Sequence, residues 1–364
     1  MKNGVESNGI LGRNWANGAN RELVAPLMAG AGLLAGVGAG VGAALASYAF
    51  LREPFEVELE RRTISLPRAR GRLPRQGLRL LHISDLHFRG ADRREQAKVQ
   101  RVLDLVRDVE YDLIVHTGDF LHHDGGLANV LRLVRALPRP RLGSYAVLGN
   151  HDYATYDMSK ALRYTWRNFI AQESRRKGVP PPALQPSRVE RTRQYVRFGL
   201  HLLHNRVDGE PTGANDVPRL RYELEQRGVQ VLHNRSVHLN SALGQEGLDL
   251  YLAGVDDLQE GHPDLAAAFR EVPSDAPLVL LAHNPDILQA PAALRADLVL
   301  AGHTHGGQIV LPLIGPAHTQ TELLSRRHAS GYLRRGNTQI YINRGLGEGI
   351  PLRFGAPPQI TLIT

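Results

Sequence analysis

The sequence contains no cysteine among its 364 residues. This absence excludes a disulfide framework, thiolate metal ligands and a cysteine nucleophile, although it does not identify the redox compartment. Any metal ion must therefore be bound by histidine, carboxylate or amide groups. Hydrophobic residues make up 42% and charged residues 22% of the chain, which is typical of a globular protein with a sizeable core rather than of a disordered one.

Charge is absent from one long stretch, because no Asp, Glu, Lys or Arg occurs in residues 23–51. An apolar helix needs about 20 residues to cross the hydrocarbon core of a membrane, and glycine, which is abundant here, is tolerated in membrane helices. We therefore predict a transmembrane anchor over this stretch, after a disordered cap at residues 1–22. The alternative is a removed signal peptide, since Ala-Leu-Ala at 44–46 resembles a cleavage site. Against it, the stretch exceeds the usual apolar region of roughly 7–15 residues.

Basic residues flank the stretch unevenly, with five within about 20 positions after it and three before it. By the positive-inside rule this asymmetry predicts that the remainder of the chain lies in the cytoplasm. No twin-arginine pair precedes the stretch, which removes one export route for a folded domain. Residues 52–77 are basic and contain proline, and we interpret them as a tether.

Beyond the tether, short apolar runs alternate with helical segments. The predicted buried strands are residues 78–84, 113–117, 145–149, 248–254, 278–283, 298–302 and 339–343. Residues 92–109 have the apolar spacing of an amphipathic helix. This alternation predicts a layered α/β domain over residues 78–364.

Five of these runs continue directly into side chains that bind metals. The clusters are Asp85-x-His87, Gly118-Asp119, Gly149-Asn150-His151-Asp152, His283-Asn284 and Gly302-His303-Thr304-His305. Open α/β sheets place their sites at the carboxyl ends of the strands, so the five clusters can converge. Imidazole and carboxylate groups together suit zinc, iron or manganese.

The five clusters resemble the motifs of the calcineurin-like metallophosphoesterase family. The extension through Gly306-Gly307-Gln308-Ile309, and the later Asn343-Arg344-Gly345-Leu346-Gly347, are similar to its membrane-associated bacterial branch. The resemblance covers roughly residues 78–153 and 216–364. It implies a layered α/β/β/α metallophosphoesterase sandwich, hydrolysis of phosphoric ester or pyrophosphate bonds, and a location at the bacterial inner membrane.

The resemblance further implies two divalent metal ions, Mn2+, Zn2+ or Fe2+, that share Asp119. The first ion would be bound by Asp85, His87, Asp119 and His305, and the second by Asp119, Asn150, His283 and His303. Two cations about 3.5–4 Å apart lower the pKa of the water between them and create a hydroxide nucleophile. His151 would lie beside the phosphate, where it stabilises developing charge or protonates the leaving group.

The chain departs from the family pattern after the Gly-Asp pair. Family members often have an acidic residue a few positions later, and here the segment reads Phe120-Leu121-His122-His123-Asp124. Asp124 is either the equivalent residue or the position is altered, so we assign it no catalytic role. We interpret His122 and His123 as surface or supporting histidines.

A basic segment interrupts the domain at residues 153–215, which we predict to be an inserted lid, helical in its first half. Residues 154–200 contain ten Lys or Arg against three Asp or Glu. Aromatic and apolar residues at 162, 166, 169 and 170 form a helical stripe beside basic residues. The stripe fits an interfacial amphipathic helix or a lid helix that packs on the domain, and the basic charge fits a phosphorylated substrate, anionic lipid or a solvated face.

Three functions follow from these features. The anchor and lid favour a membrane or lipid-linked phosphorylated substrate, and the resemblance includes enzymes that hydrolyse UDP-2,3-diacylglucosamine. The same metal site would also serve a phosphodiesterase acting on soluble nucleotides or nucleic acid. A non-catalytic binding module on this fold would be expected to lose metal ligands, whereas all seven are present here.

Overall fold

The computed structural model describes residues 40–69, 71–90, 93–177, 187–202, 211–243, 246–316, 321 and 328–364. Within these ranges there is no helix long and apolar enough to cross a membrane. Residues 23–39 of the predicted anchor, and the predicted cap before them, lie outside the described residues. Residues 40–51 form a helix. Residues 49–364 form one compact unit, separate from the unit to which residues 40–48 belong.

The helices and strands follow the chain in this order. The helices are α1 (40–51), α2 (Arg93–Val106), α3 (Leu127–Ala136), α4 (Asn150–Tyr153), α5 (Met158–Lys177), α6 (Arg188–Leu202), α7 (Val217–Glu225) and α8 (Leu265–Ala268). The strands are β1 (Glu58–Arg62), β2 (Leu80–Ile83), β3 (Leu113–Thr117), β4 (Ser144–Val147), β5 (Ala154–Tyr156), β6 (Pro211–Ala214), β7 (Val229–Val231), β8 (Arg235–Asn240), β9 (Asp249–Gly254), β10 (Leu278–Leu281), β11 (Leu298–Ala301), β12 (Val310–Leu311), β13 (Gly315–Pro316), β14 (Gly331–Arg335), β15 (Thr338–Ile342) and β16 (Gln359–Ile363).

Two six-stranded mixed sheets form the frame of the unit at residues 49–364. The first has the strand order β1-β16-β2-β3-β4-β7, and the second has the order β14-β15-β11-β10-β9-β8. Strands β2, β3, β4 and β7 run parallel, as do β9, β10, β11 and β15. The antiparallel pairs are β16 with β2, β14 with β15, and β8 with β9.

Three apolar cores separate the layers of this frame. Leu81 of β2 packs with Val102 of α2 in the first core, which also includes residues of α3 and α7. Leu80, its neighbour on β2, packs instead with Val279 of β10 between the two sheets, because successive strand residues face opposite sides. Leu280 of β10 lies in the third core with residues of α8. The predicted layered α/β architecture is therefore confirmed, and the structure adds that both of its large sheets are mixed.

The parallel strands bring several chain segments to a common edge. All seven predicted strands are present, with ends that shift by up to two residues, and the predicted helix at 92–109 is α2. Asp85, Asp119 and Asn150 follow β2, β3 and β4, while His283 and His303 follow β10 and β11. The carboxyl ends of strands from both sheets thus supply the predicted ligands.

The inserted segment forms a helical hairpin between β5 and β6. Trp166 on α5 contacts Phe198 on α6 with ring centroids 4.9 Å apart, and Phe169 on α5 lies 5.5 Å from the same ring. The apolar stripe of α5 is therefore covered by α6, which favours a packed helix over a free interfacial stripe. The prediction placed helix only in the first half of the segment, whereas α6 makes the second half helical too.

Candidate metal centre

The seven predicted ligands converge at the strand edge and are removed from water. None has more than 5% of its surface exposed: Asp85, His87, Asp119, Asn150, His283, His303 and His305. Ionisable side chains are rarely buried to this degree unless they are paired or bind a metal ion. The burial of the whole set at one edge therefore indicates a metal site.

Asp119 lies at the middle of the cluster. Its Oδ2 atom is 3.1 Å from Nε2 of His87 and 3.2 Å from Nε2 of His283. Its Oδ1 atom accepts a hydrogen bond of 2.8 Å from the backbone N–H of His151. One oxygen thus stands between two imidazoles that face it from different segments, which is the arrangement a bridging carboxylate requires.

The other side chains divide into one group on each side of Asp119. In the first, Oδ1 of Asp85 is 3.7 Å from Nε2 of His305 and 3.9 Å from Nε2 of His87. In the second, Nδ1 of His303 is 3.1 Å from Nε2 of His283. The ligand atoms of Asp85, His87 and His305, and those of Asp119, His283 and His303, lie within 4.8 Å of one another in each group.

Asn150 supplies a test of whether these residues fit a metal. Its Oδ1 atom is buried and accepts no hydrogen bond within the described part of the chain. A buried acceptor without a donor costs about 1–3 kcal/mol, and a cation would remove that cost. The donor set of imidazoles, carboxylates and one amide oxygen also suits a divalent transition metal. The residues therefore fit divalent metal ions.

Hydrogen bonds behind the ligands fix their orientation. Nδ1 of His283 lies 2.7 Å from the carbonyl oxygen of Thr117, which can only accept, so Nδ1 carries a proton and Nε2 is the ring nitrogen directed toward the site. Thr117 Oγ1 donates to Ser84 Oγ at 2.7 Å, and Ser84 Oγ donates to Asp85 Oδ2 at 2.5 Å. His82 Nε2 completes the chain at 2.8 Å from Thr117 Oγ1.

The backbone at the site is strained. Five of the predicted ligands have a positive φ between 48° and 71°: Asp85, His87, Asp119, His303 and His305. This left-handed region is uncommon for residues other than glycine and costs roughly 1–2 kcal/mol per residue. Such a concentration at one edge is typical of a functional site whose geometry is imposed by the surrounding fold.

Electrostatic interactions within the cluster are strong because it is buried. Burial lowers the pKa of His283, but the Asp119 carboxylate outweighs burial and raises the pKa to about 10. Burial and the charge of Asp119 raise the pKa of Asp152 to about 8. The Asp152 carboxyl accepts backbone N–H groups from Leu121 at 2.9 Å and Gly149 at 3.0 Å. It therefore joins the segment after Asp119 to the start of α4, which contains Asn150.

His151 lies beside the ligand cluster, with its ring centroid 4.6 Å from that of His87. His122 stacks on it with ring centroids 4.9 Å apart, and Tyr156 lies 4.7 Å away. The Tyr156 hydroxyl donates to Glu260 Oε1 at 2.6 Å. Residues 87, 122 and 151 form a three-histidine group within ligand distance. The position of His122, three residues after Asp119, was the signal in the sequence that could have identified it.

The structure resolves the role of Asp124. Its Oδ1 atom accepts the backbone N–H of Asp216 at 2.9 Å, and its own N–H donates to Asn215 Oδ1 at 3.0 Å. Asp124 therefore joins the 3-10 turn before α3 to the start of α7. A histidine, His122, rather than a carboxylate from this segment, faces His151.

The buried cluster of histidines, carboxylates and one amide lies at the carboxyl ends of strands from both mixed sheets, and its chemistry suits metal-dependent hydrolysis. The sequence profile of calcineurin-like phosphoesterases matches residues 78–307. The chain therefore belongs to the calcineurin-like phosphoesterase family.

Three relatives show the range of this similarity. The UDP-2,3-diacylglucosamine pyrophosphatase LpxG of Chlamydia muridarum is 31% identical over 322 residues, which cover 84% of this chain and 90% of that protein. The uncharacterized metallophosphoesterase YkuE of Bacillus subtilis is 27% identical over 92% of this chain and 94% of its own length. The transmembrane protein with metallophosphoesterase domain of Danio rerio is 27% identical over 79% of this chain and 53% of its own length.

Proposed function

We propose that the protein is a two-metal hydrolase that cleaves a phosphodiester or pyrophosphate bond in a membrane or lipid-linked substrate. The position of Asp119 Oδ2 between His87 and His283 carries the two-metal part of this proposal. In the proposed ligand set, the first ion is bound by Asp85, His87, Asp119 and His305, and the second by Asp119, Asn150, His283 and His303.

The chain's own residues have distinct roles in this proposal. The bound metals, manganese, zinc or iron, would supply an activated water and neutralise phosphoryl oxygens. Asp119 orients the two halves of the site and holds the segment of His151 through the backbone N–H of that residue. Burial lowers the pKa of His151 well below its ordinary value, so the imidazole is neutral and can donate its one N–H to a phosphate or leaving-group oxygen.

The substrate class rests on three supports. The LpxG relative, by its name, acts on UDP-2,3-diacylglucosamine, and we propose the same or a similar lipid-linked pyrophosphate here. The uncharged stretch at residues 23–51 is long enough for a membrane anchor, and one relative is named as a transmembrane protein. Exposed arginines on α5 and α6, such as Arg167 and Arg191, can bind anionic groups. The proposed location is the bacterial inner membrane, with the catalytic domain in the cytoplasm.

The second candidate is a phosphodiesterase for soluble nucleotides or nucleic acid. The same exposed arginines favour it, because a basic surface binds phosphates with or without acyl chains attached. The two candidates differ in whether acyl chains on the substrate increase kcat/KM.

A matched pair of substrates tests the proposal. The full chain, loaded with manganese in vesicles, is assayed with UDP-2,3-diacylglucosamine and with UDP-N-acetylglucosamine, which has a short acetyl group and no long acyl chain. We expect kcat/KM to be at least about a hundredfold higher for the acylated substrate, a difference of roughly 2.7 kcal/mol. Equal turnover of the two would contradict the lipid assignment and support the nucleotide assignment. Asp119→Asn serves as the control for the site.

A further inference from the structure

An exposed apolar hairpin follows the His303–His305 segment. Strands β12 and β13 pair antiparallel, with Val310 opposite Pro316 and Leu311 opposite Gly315. The three turn residues between them, at 312–314, are all exposed. Leu313 is fully exposed at 108% and Ile314 is 65% exposed. Adjacent large apolar side chains at the tip of a loop are unfavourable in water, and they are typical of a surface that contacts another apolar phase.

The backbone conformation at the tip of the hairpin is unfavourable as well. Leu313 has a φ of 67°, in the left-handed region that glycine and asparagine occupy readily and bulky residues do not. A hairpin turn that served only to reverse the chain would favour one of those two residues at this position. Leucine at this position strains the backbone of the turn and exposes an apolar side chain to water. Its presence in spite of both costs indicates that the side chain has a function.

A second exposed apolar element is joined to the base of the same hairpin. Val310 N donates to Phe354 O at 2.6 Å, and Phe354 N donates to Gln308 O at 3.0 Å. The preceding residue, Arg353, donates its backbone N–H to Ala49 O at 2.9 Å. Residues 50 and 51, which directly follow Ala49, are Phe and Leu with 41% and 71% of their surfaces exposed. Backbone hydrogen bonds of two consecutive residues, 353 and 354, thus connect to the segment before Phe50 and to the base of the β12–β13 hairpin.

We propose that residues 312–314 together with Phe50 and Leu51 form a docking surface for a lipid bilayer, which we call the bilayer-docking surface. The argument for a bilayer as the occupant is continuity, because residues 49–51 are the end of the uncharged stretch that begins at residue 23. Apolar side chains of this kind enter the boundary between headgroups and acyl chains. The inference rests on the membrane element of the proposed function and adds a second, separate contact with the same membrane.

The docking surface determines where the metal centre stands relative to the lipid. Leu313 is eight residues from His305 in the chain, which limits their separation to roughly 29 Å even if fully extended. A hairpin tip inserted at the interface would therefore keep the metal centre close to the headgroups. A lipid-linked pyrophosphate could then reach the site while its acyl chains remain in the bilayer.

The absence of cysteine allows a direct test. A single cysteine is introduced into the full chain by Leu313→Cys and labelled with the fluorophore NBD, in vesicles of phosphatidylethanolamine and phosphatidylglycerol. The matched control is Tyr222→Cys, because Tyr222 on α7 is 61% exposed and lies outside the bilayer-docking surface. We expect lipids with brominated acyl chains to quench the label at 313 severalfold more than the label at 222, and iodide in the buffer to quench them in the reverse order.

Two results would overturn the proposal. Iodide quenching of the label at 313 equal to that at 222 would indicate that the tip stays in water. Protection from both quenchers would indicate that the tip is covered by protein, by a second copy or by another segment of the chain. The quenching measurement does not depend on turnover. If it places the tip in lipid, the docking surface is supported even when the acylated substrate is not hydrolysed. Conversely, a tip found in water leaves the proposed function intact if that substrate is turned over.

A variant with charged residues at the tip provides an independent test of the bilayer-docking surface. The double variant Leu313→Asp with Ile314→Asp should raise KM for UDP-2,3-diacylglucosamine in vesicles by about tenfold, since charged side chains are disfavoured at the interface. Its Tm should be no lower than that of the parent chain, because both side chains are exposed and aspartate tolerates the positive φ at position 313 better than leucine. Tyr222→Asp is the control. An unchanged KM without a loss of Tm would contradict the docking surface.

Discussion

The imidazole of His122 stacks on that of His151, with ring centroids 4.9 Å apart and ring planes 23° apart. His122 also lies 5.7 Å from the ring of His87, so it fills one side of the space in which His151 is held. Its backbone N–H donates to Phe88 O at 2.8 Å, which fixes its segment against the segment of His87. His122 therefore restricts the position of the His151 ring, which in the proposed function contacts the phosphate.

Removing this ring tests that role. We expect His122→Ala to lower kcat by about 10–100-fold, the usual effect of removing a group that orients a residue at a metal site. The value of KM should change much less, because the metals still bind the phosphate, and His122→Asn should recover part of the loss. The neighbouring His123→Ala is the control, since His123 is exposed. A kcat equal to that of the parent chain would show that the stacking has no catalytic value.

Asp119 gives the sharpest test of the bridging arrangement. Asp119→Asn replaces one carboxylate oxygen with an amide that cannot bridge two cations as a carboxylate does. We expect kcat/KM for bis-p-nitrophenyl phosphate to fall at least about a thousandfold, which is roughly 4 kcal/mol, and the metal content measured by mass spectrometry to fall as well. Asp124→Asn is the matched control, because Asp124 contributes only hydrogen bonds to Asp216 and Asn215. Full metal content with full activity in Asp119→Asn would exclude a bridge at this residue.

Metal affinity should depend on pH through His283. The pKa of His283 is lowered by burial but raised overall to about 10 by Asp119, so below that pH a metal ion must displace a proton from it. The affinity for manganese should therefore increase with pH, by about tenfold per pH unit between pH 6 and 8. Calorimetric titrations in buffers of different ionisation enthalpy should detect about one proton released. A pH-independent affinity would contradict the presence of that proton.

Arg353 should be important for stability. Its guanidinium is buried and donates to the carbonyl oxygens of Ala356 at 2.9 Å, Arg344 at 2.9 Å and Gly345 at 3.1 Å. A lysine cannot reach all three, so Arg353→Lys should lower the free energy of unfolding by about 3–5 kcal/mol. Urea denaturation measures this change. The control is Arg334→Lys on the exposed face of β14, and an equal effect in both variants would contradict the role of the buried network.

Leu313→Gly should stabilise the fold. Glycine relieves the left-handed backbone at this position, worth roughly 1–2 kcal/mol, and loses part of that gain through its greater freedom when unfolded, so a net gain of about 1 kcal/mol is expected. Thermal unfolding measures it, with Ile314→Gly as the control because only Leu313 of the pair has a positive φ. A lower Tm for Leu313→Gly than for Ile314→Gly would contradict strain at the tip.

The layered fold and the convergence of the metal-binding side chains were predictable because both depend on local patterns. Each buried strand is an apolar run, and Asp85, Asp119 and His283 follow such runs directly. The same patterns predicted α2, whose apolar face packs on the first sheet. Parallel strands that end at one edge bring these side chains together without any further information.

Other features depend on contacts that no local pattern encodes. His122 stacks on His151 only because the loops after β3 and β4 meet. The positive φ at Asp85 and four other predicted ligands is imposed by neighbouring segments rather than by residue type. Helix α6 was missed because its first turns are basic and its stripe is short, and it becomes evident only as the partner of α5.

The pairing of β1 with β16, the first and last strands of the unit, affects the order in which the first sheet can form during translation. Strand β16 at residues 359–363 lies between β1 and β2, and Asp85 follows β2 directly. On the ribosome, the strand that closes this sheet emerges about 275 residues after Asp85 has been made. A partly synthesised chain therefore lacks a strand that pairs with β2, and β2 is the strand that Asp85 follows.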